Sequence, residues 1–222
     1  MYPIYDIQGI NQIEESKEGK HVIILIIVKP SDKNANEILD KINYFHHRSD
    51  QYCSIYLIGY SIGSTDKYND TIRINGVDGQ EWFYSDSCFI DVCDSLNKRL
   101  KYWNYSGEPE LIVLQNSDSN LGDRLDFTGY NYIDINYALE KGYMDSFARF
   151  MERLLKACKS EVFGEEAIKK ANWKRIKYRN VIEYAIELTP KLPKPVKKIM
   201  NDRLFYKTYK TKNPNKKNSF YY

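Results

Sequence analysis

The sequence predicts an α/β protein: a three-layer sandwich on a mixed, mostly parallel sheet, Rossmann-like or thioredoxin-like, followed by a basic helical and extended C-terminal region. Three observations carry this expectation. Residues 21–28, HVIILIIV, form an unbroken apolar run rich in β-branched side chains, the pattern of a strand buried on both faces. A helical segment and a second apolar run at 53–59 follow within roughly forty residues, which makes a βαβ unit and hence a right-handed parallel pair. The charge is also divided. The net +3 of 222 residues combines 17 basic and 27 acidic residues over 1–168 with 16 basic and 3 acidic residues over 169–222. An acidic body therefore carries a basic end. The expected boundary lies near Phe163, giving domains 1–163 and 164–222.

The elements follow in chain order. After the first strand, Pro30, Ser31 and Asp32 supply a turn and a helix N-cap, and Ile38, Ile42 and Phe45 then recur at helical spacing. Residues 61–70 are polar and irregular and lead into a short edge strand at 71–75. Gly76 and Gly79 turn the chain around Asp78. A helix is expected over 87–102, capped by Asp86 or Ser87, because Phe89, Val92, Cys93, Leu96 and Leu100 share one face. A strand at 110–114 comes next, then a polar loop at 116–123 and a strand or hairpin over 124–136. A helix over 145–159 closes the body, with Phe147, Met151, Leu154 and Cys158 in its apolar stripe. Beyond it a helix is expected over 165–188, ended by Pro190, Pro193 and Pro195, which favour polyproline II.

The same composition excludes several classes. The longest apolar run is one strand long, far short of the roughly 20 residues a membrane helix needs. The first residues lack the basic and apolar regions of a signal peptide. Cys53, Cys88, Cys93 and Cys158 are too few and too scattered for a disulfide framework, so they read as buried free thiols in a reducing, cytoplasmic setting. No membrane partner, cofactor or metal is expected.

Several motifs invite chemistry. Gly59-Tyr60-Ser61-Ile62-Gly63 matches the nucleophile-elbow pattern after a strand. That architecture needs a later histidine, and His21, His46 and His47 all precede Ser61, so Ser61 is not read as a triad serine. His46 and His47 are adjacent on a helix, which should point them apart, and no Cys or His partner lies nearby in sequence. Residues 116–123 alternate oxygen side chains like a calcium loop, but the glycine is misplaced and no glutamate follows in register. Ligands of open α/β sheets bind beyond the carboxyl ends of parallel strands. There the sequence offers Lys29, Ser31 and Asp32, then Ser61, then Asn116 and Asp118, as a cradle for a small polar ligand.

The basic region offers a different site. Lys170, Lys174, Arg175, Lys177 and Arg179 crowd one predicted helix. Lys197, Lys198, Arg203, Lys207, Tyr209 and Lys210 follow, interleaved with further aromatics. Cations neutralise phosphates and aromatic faces stack on unpaired bases. The region is equally able to dock on an acidic protein partner, or on the acidic body in cis or in a second copy, which would make a homo-oligomer. The leading expectation is a non-catalytic interaction module, a subunit of a larger microbial complex, whose body binds a partner or small ligand. The alternative is an enzyme of nucleotide or nucleic-acid metabolism with its site at the strand ends.

Overall fold

A computed structural model describes residues 1–159, apart from 18, 20, 50–51, 64–66, 101–102 and 118–123, with the backbone alone at 128 and 206–210. The chain opens with a short strand, β1 (Tyr2–Ile4), and a helix, α1 (Ile7–Glu15), neither of which the sequence pattern announced. Asp6 starts α1 by accepting the Gly9 N–H at 2.6 Å, and Ile7 and Ile10 supply its buried face. The apolar run becomes β2 (Val22–Ile27), buried at all six positions. Two short helices, α2 (Ala35–Leu39) and α3 (Ile42–Ser49), lead to β3 (Cys53–Ile58), which is also buried throughout. The chain then leaves this sheet through Gly59 to build β4 (Tyr60–Ile62), β5 (Thr71–Asn75), a 3-10 turn at Val77–Gly79 and β6 (Glu81–Ser85). Helix α4 (Asp86–Arg99) starts one residue earlier than expected, capped by Ser85, whose Oγ accepts the Cys88 N–H at 3.0 Å.

The remaining elements are β7 (Glu110–Asn116), β8 (Leu125–Asp134), α5 (Ile135–Glu140) and α6 (Phe147–Lys159), with β9 (Tyr206–Lys210) returning from the C-terminal region. The expected strand or hairpin over 124–136 is one long strand, and Asp134 at its end caps α5 by accepting the Tyr137 N–H at 2.8 Å.

The larger sheet has the order β1-β3-β2-β7-β8-β9 and is mixed. The βαβ expectation holds, since β2 pairs parallel to β3, as does β1. "Mostly parallel" does not describe the whole sheet, because β7, β8 and β9 each pair antiparallel to the preceding strand. Periodicity cannot foresee this, since a strand buried on both faces reads the same in either direction. The smaller sheet, β4-β6-β5, is wholly antiparallel.

Alternation assigns the two faces of the larger sheet. Tyr56 hydrogen-bonds Glu14 of α1, so Ser54, Tyr56 and their register partners Ile23 and Leu25 face α1, which packs on α4. Cys53 lies beside Cys158 of α6, so Cys53, Ile55 and Leu57, with Val22, Ile24 and Ile26, face α6. Helices α2 and α3 pack against α6 on that side, where Phe45 meets Phe147 edge-on at 5.7 Å. Each fully buried aliphatic side chain in these strands contributes about 2 kcal/mol of transfer free energy. All four cysteines are buried free thiols, as composition suggested.

Gly59 is the joint between the two sheets. Its N–H donates to the Ile4 carbonyl at 2.8 Å and its carbonyl accepts the Ser85 N–H at 3.2 Å. It adopts φ +87°, and a Cβ there would lie 2.7 Å from Phe89 Cβ. Gly59→Ala therefore combines left-handed strain with overlap against α4. It should cost at least about 2 kcal/mol in urea unfolding, and an unchanged midpoint would refute this account of the joint.

Candidate functional site

At the carboxyl end of β2, Lys29 is held on several sides. Its Nζ lies 3.6 Å from Asp86 Oδ1 and 5.1 and 5.9 Å from the ring centroids of Phe89 and Tyr105. Asp32 folds back on the same turn, its Oδ2 accepting the Lys29 N–H at 2.7 Å and the Tyr105 hydroxyl at 3.3 Å. Burial pushes the Asp32 carboxyl up from its ordinary range, against the bonds from Lys29 and Tyr105 that lower it. Tyr84 donates to Asp86 at 2.7 Å, and Tyr60 donates to the Val28 carbonyl at 2.9 Å. The rings of Tyr60, Tyr84, Phe89 and Tyr105 form a chain with centroid spacings of 5.0, 6.0 and 5.1 Å. The lysine side chain thus pairs with Asp86 while Asp32 holds its backbone, and two carboxylates beside one ammonium in an aromatic frame suit a polar or cationic group better than an anion.

The structure brings together only part of the cradle read from the sequence. Lys29 and Asp32 are neighbours, and Ser31 is exposed beside them. Ser61 lies on strand β4, where a nucleophile elbow would need a helix, and its hydroxyl donates to the Gly63 carbonyl at 3.0 Å. Asn116 sits at the opposite end of the sheet, because β7 is antiparallel to β2 and pairs Gln115 with Val22. There it accepts the His21 N–H at 2.9 Å and donates to the Gly19 carbonyl at 2.6 Å. Asp118 lies outside the described residues.

That opposite end holds a cluster which sequence reasoning missed. Glu14, 2% exposed, takes His21 Nε2 at 2.5 Å on one oxygen. Its other oxygen accepts the Tyr56 hydroxyl and, at 3.2 Å, Lys17 Nζ. Lys17 also donates to Ser54 Oγ at 2.7 Å. The available signal was Asp6 ahead of Ile7 and Ile10, a cap followed by helical spacing that would have put Glu14 on the inner face of α1. Every polar atom named here has a partner, so the cluster clamps α1 onto β2 and β3.

A third grouping lies where α3 meets the 3-10 turn. His46, His47 and Asp78 present ligand-type atoms within 4.8 Å of one another, the only such group of three among the described residues. The adjacent histidines do not diverge as expected: their rings stand 5.2 Å apart at 82°. Asp78, brought in from 31 residues away, supplies the partner that sequence proximity did not.

Of the candidate residues in the basic region, Lys207, Tyr209 and Lys210 fall on β9, whose backbone pairs with 129–133 of β8, Gly129 opposite Lys210 and Ile133 opposite Tyr206. Lys170, Lys174, Arg175, Lys177, Arg179, Lys197, Lys198 and Arg203 lie outside the described residues. Comparisons with protein-family models, with curated proteins and with solved structures find no match to this chain.

The Glu14 cluster has a direct consequence for stability. Burial alone would raise the Glu14 pKa, but hydrogen bonds from His21, Ser54 and Tyr56, with the Lys17 charge, hold it at about 2 against an ordinary 4.5. A carboxylate depressed on folding stabilises above its unfolded pKa and loses that contribution as pH falls through the folded value. Glu14 should therefore contribute about 3 kcal/mol above pH 5, lost progressively toward pH 2. Urea melts of the wild type and Glu14→Gln across this range should converge at the acid end, and a pH-independent gap would contradict the assignment.

Proposed function

We propose that the chain is a non-catalytic interaction module, in which an acidic body, 1–163, is followed by the basic region 164–222, whose strand β9 lies on one sheet edge, and uses that region to bind nucleic acid. The observation that carries this is the pairing of β9 with β8. A β-ladder is made by main-chain groups, so it docks the segment without consuming the charge of its lysines. It also covers residues 129–133 of the ten-residue β8, an edge otherwise open. Lysines interleaved with tyrosines on a fixed support suit unpaired bases and their phosphates. An acidic protein surface is the competing partner, and exchange of β9 between copies is the route to a homo-oligomer. A cytoplasmic setting and membership in a larger complex belong to the same proposal.

The fold type sharpens within this reading. Of the two arrangements expected, the thioredoxin-like one fits better, since Rossmann-like sheets are mostly parallel and this one ends in antiparallel β7 and β8 followed by a helix. No cysteine stands in the turn after β2, and burial pushes the Cys88 and Cys93 thiols up to about 11 and 12, which argues against thiol redox chemistry.

The alternative, an enzyme of nucleotide or nucleic-acid metabolism, would set the base or sugar of its substrate, not a phosphate, against the Lys29–Asp86 pair and the neighbouring Asp32 in their aromatic frame at the strand end. Mononucleotide binding equal in wild type, Lys29→Ala and Asp32→Asn would remove it.

Substitution tests the leading reading better than truncation, because cutting the chain at Phe163 would strip β9 from β8. Anisotropy with single-stranded DNA and RNA oligonucleotides should show affinity falling steeply with salt. Lys207→Ala/Lys210→Ala should lower the log–log slope by about 1 to 2. A slope untouched by the double substitution would remove β9 from the interface, and absence of salt-dependent binding would leave the acidic-protein partner.

A further inference from the structure

We propose that His46, His47 and Asp78 form a binding site for one divalent transition-metal ion of the zinc class, with its open coordination positions facing an adjacent pocket. Two elements build it. Helix α3 presents both histidines from its last turn, and the Val77–Gly79 turn presents Asp78. The Asp78 N–H donates to Asn43 Oδ1 at 3.1 Å, which fastens the turn to α3 itself. Asp78 stands at φ 53°, a left-handed conformation in which aspartate is one of the few tolerated side chains.

The ligand chemistry is specific. His47 Nε2 and Asp78 Oδ1 are 2.8 Å apart, and all three donor groups fall within 4.8 Å. Metal–ligand bonds of about 2.0–2.2 Å place donor atoms at most about 4 Å apart. The His47 and Asp78 side chains are both 58% exposed, so the small rotations that close this gap meet no packed neighbour on their solvent side. His46 Nδ1 lies 3.3 Å from the Met1 carbonyl oxygen and 2.6 Å from the Met1 nitrogen, contacts that fix its ring. Ring fixation through the second nitrogen is how protein-bound imidazole ligands are usually oriented. Two imidazoles and one carboxylate suit zinc and its neighbours in the first row, whereas magnesium and calcium select oxygen.

Three protein ligands also leave positions open, the pattern of sites that take water or an exogenous ligand. A pocket of about 280 Å³ provides that room, lined by Met1, Tyr2, His46, His47, Ser49 and Cys53. The proposal does not rest on the basic region.

The test is zinc titration of the full chain by calorimetry, alongside His47→Ala and Asp78→Asn, whose exposed side chains leave the core intact. Wild type should bind one zinc ion with a matching rise in Tm. Each variant should weaken binding at least tenfold and lose the Tm shift, while its metal-free Tm stays that of the wild type. Zinc binding of equal strength in wild type and both variants, or no saturable binding by the wild type, would overturn the site. His46→Ala should give the same loss, and a His46→Ala chain that still binds as wild type would overturn its membership of the ligand set.

Discussion

The structure depends on burying β2 and β3 on both faces at once. All twelve of their strand positions, six consecutive in each, are closed to solvent. A strand that is apolar on both sides cannot face water on either, so helices must cover the sheet from above and below. Helices α1 and α4 cover the Tyr56 side, and α2, α3 and α6 cover the Cys53 side. What varies along the molecule is how each cover is fastened. Helix α6 uses apolar contact, including Phe147 on Phe45, whereas α1 combines its isoleucines with the buried Glu14 carboxylate. An acidic group can serve there because His21, Tyr56 and Lys17 satisfy both its oxygens.

The same parallel pair gives the sheet two chemically different ends. Lys29, Asp32 and Asp86 meet at the carboxyl end of β2, inside a chain of aromatic rings. Glu14, His21 and Asn116 meet at the other end. Both are largely satisfied within the protein, but by different means. The first is a partly exposed ion pair whose charge remains available, and the second is a closed hydrogen-bond network. The arrangement at His46, His47 and Asp78 belongs to neither, since its two outer side chains face solvent across a turn held by Asn43.

The charge division acquires a structural meaning from β9. Five residues of the basic region, 206–210, are joined to β8 by a backbone ladder, a main-chain bonding that needs no charge attraction. Long-range attraction alone would be screened at physiological salt within about 8 Å. A ladder persists under that screening, so it holds β9 on β8 without help from charge.

By itself the sequence determined the buried strands, their parallel pairing across one short crossover, the apolar faces of α4 and α6, and the uneven charge. Each follows from local periodicity or composition, and each survives whatever the distant chain does. The tertiary structure alone decided the direction of β7, the position of β9, and the company kept by particular side chains. Strand periodicity is identical for parallel and antiparallel pairing, so nothing local placed Asn116 beside His21 instead of near Lys29. Asp78 reached His47, and Glu14 reached Tyr56, across 31 and 42 residues. Such meetings are set by how packed elements lie across one another, which is a property of the whole core.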